Sequence, residues 1–410
     1  MKTLALILAG GQGTRLDLLS QRRSKPAVPF AGKYRIIDFS LSNASNSGIY
    51  DIAILTQYLP FSLNEHIGSG KPWDLDRRDS SVTLLQPHND WYMGTADAVL
   101  KNIDFVIRAR SKYVLILSGD HIFKMDFRKL IAEHEKNNAE LTIATKVVPF
   151  KDVSRFGILE TDENGFVKEF VEKPKTSKSN LASMGIYLFN SDVLVNSLLS
   201  QSKKYPNLDF GHHIIPYLIY EKKAVVSTFK FYGYWQDVGT YDSYLTTNLE
   251  LNQPTLELDL YDPTWPIFTK NEGLPPVKFG DKAEVRNSLI SNGSIVYGTV
   301  INSVISPGVL IQNGAIVKDS VILNDCIIGE NVEVNSSILD KKVVVGRNTI
   351  IGYGDDYTAN LEKPDVLNKG INVVEKSTLI DSDLIIERNC RILRNATFDT
   401  KVIKSGSTVK

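Results

Sequence analysis

The amino-acid sequence predicts a mostly parallel α/β sheet with helices on both faces, followed by a β-helix built from hexapeptide repeats. Three observations support this fold class. The first 250 residues alternate short apolar runs with helix-like segments, a pattern typical of parallel sheets. Glycines follow the first apolar run directly, as they do at the end of a buried strand. From about residue 283 helical periodicity disappears and aliphatic residues recur at short, regular intervals.

The apolar runs of the first part predict buried parallel strands over residues 4–8, 52–55 and 113–117. Helices are predicted over residues 95–110 and 126–137, with Asp126 as the N-cap of the second. Ligands of such sheets bind beyond the carboxyl ends of the strands. Loops that follow strands are therefore the places where functional residues are expected.

The second part shows a period close to six. Aliphatic residues recur at every fifth or sixth position, at Ile305, Ile311, Val317, Ile322, Ile328, Val334, Leu339, Val345 and Ile351. Three such steps to a turn predict a triangular parallel coil in which each short strand points one aliphatic residue inward. A β-sandwich with chance spacing is the alternative. The phase fails over residues 354–368 and resumes at about residue 373.

These two sequence patterns divide the chain into a ligand-binding domain over residues 1–250, a linker over 251–280 and a β-helix over 281–410. The linker is assigned because it contains five of the 16 prolines, at Pro254, Pro263, Pro266, Pro275 and Pro276.

Composition and charge exclude several classes of protein. The 410 residues contain 47 basic and 47 acidic side chains, whereas a nucleic-acid-binding protein needs a concentrated basic surface. No run of apolar residues approaches the length of a membrane span, and the first run lacks the cleavage site of a signal peptide. Two cysteines, Cys326 and Cys390, argue against a disulfide framework and favour the cytoplasm.

A glycine-rich turn follows the first predicted strand and suits an anion. Gly10, Gly11 and Gly13 allow backbone amides to approach a phosphate closely, and Thr14 and Arg15 follow at once. The guanidinium of Arg15 matches phosphate oxygens. The spacing is neither that of a dinucleotide fingerprint nor that of a Walker loop. An ordinary tight turn with a surface arginine is the alternative.

A basic run comes shortly afterwards, with Arg22, Arg23 and Lys25 within four positions. Such a run is often only a solvated surface. Lys25 is the residue expected to point inward because Pro26 restricts the backbone beside it. The two arginines could equally bind an effector.

Two carboxylates stand where a hard metal ion could be held. Asp120 follows the strand predicted at residues 113–117, and Asp237 lies next to a glycine in a second loop. Mg²⁺ prefers one or two carboxylates together with substrate phosphates. A helix N-cap is the alternative role for Asp120, and His121 is expected to pack or form a hydrogen bond rather than to bind the metal.

Weaker patterns point the same way. Glu172 and Lys173 follow a strand-like run and could meet the hydroxyls and phosphate of a sugar phosphate. Tyr92 and Gly94 precede a helix and could admit a ring or a base. A phosphate-binding turn, cations and strand-end carboxylates together indicate Mg²⁺-assisted phosphoryl or nucleotidyl transfer. No Ser/His/Asp or Cys/His arrangement is legible.

Taken together, these motifs resemble the sugar-nucleotide pyrophosphorylases over essentially the whole chain. Within them the sequence is similar to the bacterial type of the glucose-1-phosphate adenylyltransferase (ADP-glucose pyrophosphorylase) family. The matching strings are LAGGQGTRL from Leu8, SKPAV from Ser24, YRIIDF from Tyr34, WYMGTADA from Trp91, GDHI from Gly119, FVEKP from Phe170, LASMGIY from Leu181 and WQDVGT from Trp235.

The resemblance implies a Rossmann-like nucleotidyltransferase domain over residues 1–250, and a left-handed parallel β-helix over 281–410 that serves oligomerisation and regulation. The glucose 1-phosphate contacts implied are Tyr92, Gly157, Glu172, Lys173 and Ser183, with Lys173 on the phosphate. The ATP contacts implied are Gly10, Gly11, Gly13, Thr14, Arg15, Gln86 and Gly94.

The implied reaction is attack of the sugar phosphate on ATP, giving ADP-glucose for glycogen or another α-glucan. Arg15 is expected on the β- and γ-phosphates, Lys25 near the α-phosphate, and Gln86 on the adenine. Arg15, Lys25 and Asp120 are the implied catalytic residues, and Asp120 and Asp237 the implied Mg²⁺ ligands.

The resemblance also implies regulation. The family is typically a homotetramer, or a hetero-oligomer with a related subunit, and it is controlled by small-molecule effectors. Gln57 and Trp91 match positions that pass on the effector signal, and Arg22 is an effector candidate that departs from the commoner lysine. His212 and His213 stand where a lysine often follows the glycine, which leaves one sugar contact open.

Three alternatives to this interpretation exist. One is a related sugar-1-phosphate nucleotidyltransferase that uses UTP, dTTP or GTP. Another is a non-catalytic regulatory subunit, disfavoured because the cationic and acidic residues are all retained. The third is acyl transfer on the β-helix, disfavoured because the six histidines end at His213, so no histidine base lies in that region.

Overall fold

The computed structural model describes residues 2–11, 13–77, 81–87, 90–254 and 256–410. The chain forms two compact units. The first comprises residues 1–11, 39–235 and 262–268, and the second comprises residues 12–38, 236–261 and 269–410. The segment predicted as a linker is thus shared between both units, and the first strand of the coil, Lys278–Phe279, already lies within it.

Alternation of strands and helices builds the first part of the chain. Before residue 240 the strands in the described ranges are β1 Thr3–Ala9, β2 Pro29–Phe30, β3 Tyr34–Arg35, β4 Asp51–Thr56, β5 Ser81–Leu85, β6 Tyr113–Ser118, β7 His121–Phe123, β8 Leu141–Val147, β9 Gly157–Thr161, β10 Val167–Glu172, β11 Leu181–Asn190, β12 Val226–Lys230 and β13 Trp235–Asp237.

The α-helices of the described residues are α1 Ile37–Asn46, α2 Phe61–Ile67, α3 Thr95–Leu100, α4 Ile103–Ala109, α5 Phe127–Lys136, α6 Ser191–Gln201 and α7 Tyr241–Glu250. Short 3₁₀ segments cover Thr14–Ser20, Lys25–Ala27, Lys71–Trp73 and Phe150–Arg155, and π-helical turns cover Phe210–Ile214 and Tyr217–Glu221. No helix among these residues is long and apolar enough to cross a membrane.

The main sheet has nine strands, with β10-β9-β11-β6-β1-β4-β5 as its path and β8 and β12 attached through β11. Only β10 and β11 run opposite to the other strands, so the prediction of a mostly parallel sheet is confirmed. Leu4 and Leu6 of β1 belong to a core cluster that includes residues of α4 and α6. Ala5 and Ile7, which point to the opposite face, are also fully buried. Both faces of the sheet are therefore covered.

Two of the predicted helices differ in outcome. Asp126 caps α5 as expected, because its carboxylate accepts from the amide of Arg128. The helix predicted over residues 95–110 is instead two helices, α3 and α4. Asn102 breaks it with a non-helical backbone (φ −114°, ψ 23°), and its amide side chain donates to Ala98 O and to the hydroxyl of Tyr92. The break thus places a polar side chain against Tyr92.

The hexapeptide period forms a parallel coil with three sheets. One sheet contains Lys278–Phe279, Ile295–Val296, Leu310–Ile311, Ile327–Ile328, Val344–Val345 and Leu379–Ile380. The next contains Glu284–Arg286, Thr299–Ile301, Ile316–Lys318, Glu333–Asn335, Ile350–Ile351, Ile385–Ile386 and Val402–Ile403. The last contains Leu289–Ile290, Val304–Ile305, Val321–Ile322, Ser337–Leu339, Asn372–Val374, Arg391–Ile392 and Thr408–Val409.

The inward positions of this coil form a continuous aliphatic core. All nine aliphatic residues that set the predicted period are at most 1% exposed. Every strand pair in the three sheets is parallel, from Lys278–Phe279 with Ile295–Val296 onward. The predicted break in phase is an insertion between Ile350–Ile351 and Asn372–Val374, after which the coil resumes.

Candidate active site

The phosphate-binding turn predicted after β1 begins with Gly10 and Gly11. A Cβ atom at Gly10 would lie 3.3 Å from Cβ of Gln57, whereas one at Gly11 would meet no atom of the described residues within 4 Å. The backbone at Gly11 is therefore open to a ligand. Gln12, which belongs to the same turn, lies outside the described residues.

The turn continues through Gly13, where the backbone requires glycine. Its φ is 65°, and a Cβ atom there would lie 3.1 Å from Cβ of Lys25. Thr14 begins the 3₁₀ segment that carries Arg15, and the hydroxyl of Ser20 closes the turn by donating to Gly13 O at 2.9 Å. The positive φ at Gly13 thus brings the turn against the chain that carries Lys25.

Asp237 forms ion pairs with both predicted cations, Lys25 and Arg15. Nζ of Lys25 lies 2.9 Å from its Oδ1, and Nη2 of Arg15 lies 3.8 Å from its Oδ2. The side chains of Lys25 and Asp237 are only 7% and 9% exposed, whereas that of Arg15 is 58% exposed. A Cβ atom at Gly239 would come within 3.2 Å of all three charged groups. The two predicted cations therefore meet at one carboxylate.

Asp120 lies directly beyond β6, as predicted. Its carboxylate accepts from the hydroxyl of Ser118 and lies 3.6 Å from Nε2 of His121. The indole of Trp235 donates to Nδ1 of His121 at 3.4 Å. Because Nδ1 accepts, the neutral ring carries its proton on Nε2, facing the carboxylate. His121 therefore has a hydrogen-bonding role in this structure.

The sugar-phosphate residues predicted from the resemblance converge on three neighbouring strands. Gly157 of β9 pairs with Glu172 of β10. Ser183 follows Ala182 of β11, which pairs with Ile158 of β9. Nζ of Lys173 lies 3.3 Å from Oε1 of Glu172, and Lys173 itself has a positive φ of 47°. The structure therefore brings four of the five predicted contacts to one end of this antiparallel group.

Two glycines shape the space around Glu172. A Cβ atom at Gly157 would lie 2.8 Å from Oε2 of Glu172, and one at Gly211 would lie 2.5 Å from it. Gly211 belongs to the π-helical turn Phe210–Ile214, a form of helix that is frequent at functional sites. No sequence pattern indicates this contact, because Gly211 and Glu172 are far apart along the chain.

Tyr92, the fifth predicted sugar contact, is held by Gln57. The amide of Tyr92 donates to Oε1 of Gln57, and Nε2 of Gln57 donates to Tyr92 O at 3.3 Å. Burial raises the pKa of the Tyr92 phenol, whose oxygen accepts from Asn102 at 3.0 Å. A residue predicted to pass on an effector signal thus touches a predicted substrate residue.

A cavity of about 290 Å³ lies beside this contact. It is lined by Gln57, Pro60, Gln86, Pro87, Asp90 and Trp91. The cavity brings the predicted adenine reader, Gln86, together with Trp91, whose ring is 56% exposed. Gly94 packs closely against the backbone of another segment, because a Cβ atom there would lie only 2.3 Å from Leu208 O.

The other departures noted in the sequence have structural partners. Nε of Arg22 lies 2.9 Å from Glu375, and the side chain is 46% exposed. Nδ1 of His213 accepts from the amide of Asp209 at 3.0 Å, and its ring stacks on Tyr205 with centroids 4.2 Å apart. His212 is exposed. Arg23, in contrast, is buried in a bidentate pair with Asp340.

Comparison with known proteins places the chain in a family. Residues 4–254 match the family described as nucleotidyl transferase, and residues 275–374 match the family described as GlmU-like, C-terminal hexapeptide. The chain is 48% identical to the glucose-1-phosphate adenylyltransferase of Thermomicrobium roseum, across 98% of this chain and 96% of that protein.

Two further relatives have the same name and a similar coverage. The glucose-1-phosphate adenylyltransferase of Acetivibrio thermocellus is 44% identical, across 97% of this chain and 92% of that protein. That of Thermotoga maritima is 46% identical, across 99% of this chain and 98% of that protein. The chain therefore belongs to the nucleotidyl transferase family and, within it, to the glucose-1-phosphate adenylyltransferases.

Proposed function

We propose that the chain transfers the adenylyl group of ATP to α-D-glucose 1-phosphate, giving ADP-glucose and pyrophosphate. The observation that carries this proposal is the near full-length similarity, at 44–48% identity, to proteins named for that reaction. The matches of the first part to the nucleotidyl transferase family and of the second part to the hexapeptide family support it. The product serves the synthesis of glycogen or a related α-glucan.

ATP is proposed to lie on the turn from Gly10 to Arg15. The open backbone at Gly11 and the positive φ at Gly13 support a close approach of phosphate to main-chain amides. Arg15 would contact the β- and γ-phosphates and Lys25 the α-phosphate. Gln86 would read adenine and Gly94 would border the nucleotide. The position of Arg15 and Lys25 at one carboxylate, that of Asp237, supports this arrangement.

Glucose 1-phosphate is proposed to bind at the end of the β9–β10–β11 group where Gly157, Glu172 and Ser183 lie. Glu172 would accept from sugar hydroxyls, and Lys173, 61% exposed, would bind the phosphate. Ser183, Gly157 and Tyr92 would complete the contacts. The crowding of Gly157 and Gly211 against Glu172 supports a role for its carboxylate that depends on position.

We propose Asp120 and Asp237 as ligands of Mg²⁺. The donors fit, because carboxylate oxygens are the ligands that this hard ion prefers. When bound, the ion would neutralise charge on the phosphates during transfer. In the structure Asp237 is shared by Lys25 and Arg15, and Asp120 accepts from Ser118. These contacts orient both carboxylates without the ion.

The chemistry requires no nucleophile from the protein. An oxygen of the sugar phosphate is already ionised and attacks the α-phosphorus in line, the bond to the bridging oxygen breaks, and pyrophosphate leaves. Arg15 and Lys25 would hold the triphosphate and offset the charge that gathers on the leaving group. The protein's contribution to the reaction is therefore positioning and electrostatic stabilisation.

Regulation by a small-molecule effector is proposed as well. Arg22 is a candidate contact, and it belongs to a basic region of the second unit. Burial, together with the charges of Arg35 and Arg23, lowers the pKa of Lys341 to about 8. Gln57 and Trp91 would pass the effector signal to Tyr92, which Gln57 already holds.

Assembly and location are proposed on the same footing. We propose a homotetramer, or a hetero-oligomer with a related subunit, with residues 281–410 serving assembly and regulation, 251–280 as linker and 1–250 as catalytic domain. A cytoplasmic location is supported by the metabolite substrates and by two buried, unpaired thiols, Cys326 and Cys390.

The proposal is tested by pyrophosphate release from the purified full chain with Mg²⁺, glucose 1-phosphate and each nucleoside triphosphate in turn. We expect release with ATP, and the Asp120→Asn chain prepared in parallel controls for contaminating activity. Faster release with UTP, dTTP or GTP would assign another nucleotide. Silence with every nucleotide would assign a non-catalytic subunit.

A further inference from the structure

The phosphate-binding turn contains a backbone conformation that its residue does not favour. Asp17, two positions after Arg15, has φ 35° and ψ −106° and interrupts the helical segment Thr14–Ser20. A residue with a side chain rarely adopts a positive φ, so the surrounding contacts must impose this conformation. Such local strain is common where a loop has to hold a ligand.

The contact that holds Asp17 comes from the β-helix. Nε of Arg391 lies 2.5 Å from Oδ2 of Asp17 and Nη2 lies 3.0 Å from Oδ1, so the pair is bidentate. The two side chains are only 7% and 9% exposed. Glu362, from the insertion that interrupts the hexapeptide phase, places Oε2 3.6 Å from Nη1 of the same arginine. Arg391 is thus fixed from two sides.

Two further hydrogen bonds fasten the same stretch. The amide of Leu18 donates to the hydroxyl of Tyr241 at 2.8 Å. The hydroxyl of Ser20 lies within hydrogen-bonding distance of both Gly13 O, at 2.9 Å, and Asp17 O, at 3.1 Å. The turn is therefore closed on itself by Ser20 and anchored from outside by Arg391 and Tyr241.

We propose that Arg391 is a positioning residue of the ATP site: by holding Asp17 it sets the turn that aims Arg15 at the triphosphate. This inference rests on the proposed function, because it assigns a support to the proposed nucleotide loop. It gives the β-helix a direct part in nucleotide binding, beyond assembly and effector binding.

The Asp17–Arg391 ion pair is better suited to fix the geometry of the turn than to stabilise the fold. A buried ion pair seldom stabilises a fold more than apolar residues of the same volume would, because both charges lose their hydration. A bidentate guanidinium, on the other hand, fixes both the distance and the plane of the carboxylate. The conformation that it fixes lies within two residues of Arg15.

The test uses the purified full chain with three variants and one control. Arg391→Gln removes the charge, Arg391→Lys keeps it without the fork, and the double variant Asp17→Asn with Arg391→Gln leaves no buried charge alone. Arg347→Gln, an exposed arginine elsewhere on the coil, is the matched control. The measurements are KM for ATP, KM for glucose 1-phosphate, kcat, calorimetric affinity for ATP with Mg²⁺, and the unfolding temperature.

We expect Arg391→Gln to raise KM and Kd for ATP by at least about tenfold, since small displacements of positioning groups have large effects. KM for glucose 1-phosphate should change less than about twofold. Arg391→Lys should give an intermediate KM for ATP, and the double variant should match Arg391→Gln, since one contact is lost in both. Arg347→Gln should match the unmodified chain.

Unchanged ATP affinity in a folded Arg391→Gln or double variant would overturn the inference. So would a lower unfolding temperature accompanied by normal KM values, because that result describes a purely structural pair. Failure of the proposed function is distinguishable, since the unmodified chain would then turn over no ATP. The calorimetric arm still reports on the loop in that case.

Discussion

Asp237 illustrates how single residues shape this site. Two cations, Lys25 and Arg15, share its carboxylate, and a Cβ atom at position 239 would lie 2.9 Å from its Oδ1. Lys25 and Asp237 are buried while Arg15 remains largely exposed. The buried pair therefore forms a rigid base, and the exposed guanidinium remains available to a ligand.

Replacing Asp120 tests its proposed role as a metal ligand. Asp120→Asn should lower kcat by at least about a hundredfold, because it removes charge where the transition state needs it. The unfolding temperature should hardly change, since Asp120 is only partly buried. Asp104→Asn, on an exposed position of α4, is the control. Steady-state kinetics with near-normal turnover would remove Asp120 from the catalytic residues.

Lys173 should act mainly in binding the sugar phosphate. Lys173→Ala should raise KM for glucose 1-phosphate by roughly ten- to a hundredfold, the range expected for a charge-assisted hydrogen bond, while kcat changes little. Alanine keeps the Cβ atom, so the positive φ at this position adds no new cost. The exposed Lys175→Ala serves as the control. A loss confined to kcat would contradict the assigned role.

Gly211 should be required for the position of Glu172. In Gly211→Ala the new Cβ atom would stand 2.5 Å from Oε2 of Glu172, so the carboxylate must move. We expect a higher KM for glucose 1-phosphate and an unchanged KM for ATP, which acts as the internal control. Equal KM values for glucose 1-phosphate in both proteins would show that Glu172 is not a sugar contact.

Some of these residues could be identified from the sequence and others could not. Arg15, Lys25, Asp120 and Asp237 stand in short motifs where residue type and neighbours already indicate phosphate or metal. Gly211 and Arg391 carry no local pattern, since their partners are distant along the chain. Contacts of that kind become visible only when the fold brings the two segments together.

At the scale of elements, the β-helix was the part most fully predictable. Its period depends on one inward aliphatic residue per strand, and that requirement is repeated in every turn. The prediction of one continuous helix over residues 95–110 was wrong. Apolar periodicity runs through both α3 and α4, and the break depends on the side-chain hydrogen bonds of Asn102, which periodicity does not register.

Neighbouring residues of one coil strand should differ sharply in their contribution to stability. Ile328 is fully buried and Ile327 is 37% exposed. Ile328→Ala should cost about 2–5 kcal/mol in the free energy of unfolding, through lost burial and the cavity left behind. Ile327→Ala, the matched control, should cost less than about 1 kcal/mol. Denaturant unfolding of both variants checks this, and equal costs would contradict the assignment of inward and outward positions.

At the scale of the whole molecule, the chain combines a nucleotidyl transferase region with a hexapeptide coil. Its similarity to the relatives extends across nearly their full length. The order of the two regions could be predicted from the change in hydrophobic periodicity along the sequence. The distribution of residues between the compact units could not, because the turn that carries Arg15 groups with the coil rather than with the sheet that precedes it. That grouping is one reason for our inference that the coil positions the proposed nucleotide loop.

The measurement that tests the central claim most directly follows the α-phosphorus of ATP. The purified chain is given Mg²⁺, glucose 1-phosphate and ATP labelled either at the α- or at the γ-phosphorus, and the products are separated. The account predicts that the α-label enters a sugar nucleotide and that the γ-label leaves in pyrophosphate, with neither appearing on the protein. Label on the protein, or no labelled sugar nucleotide, would contradict direct adenylyl transfer to glucose 1-phosphate.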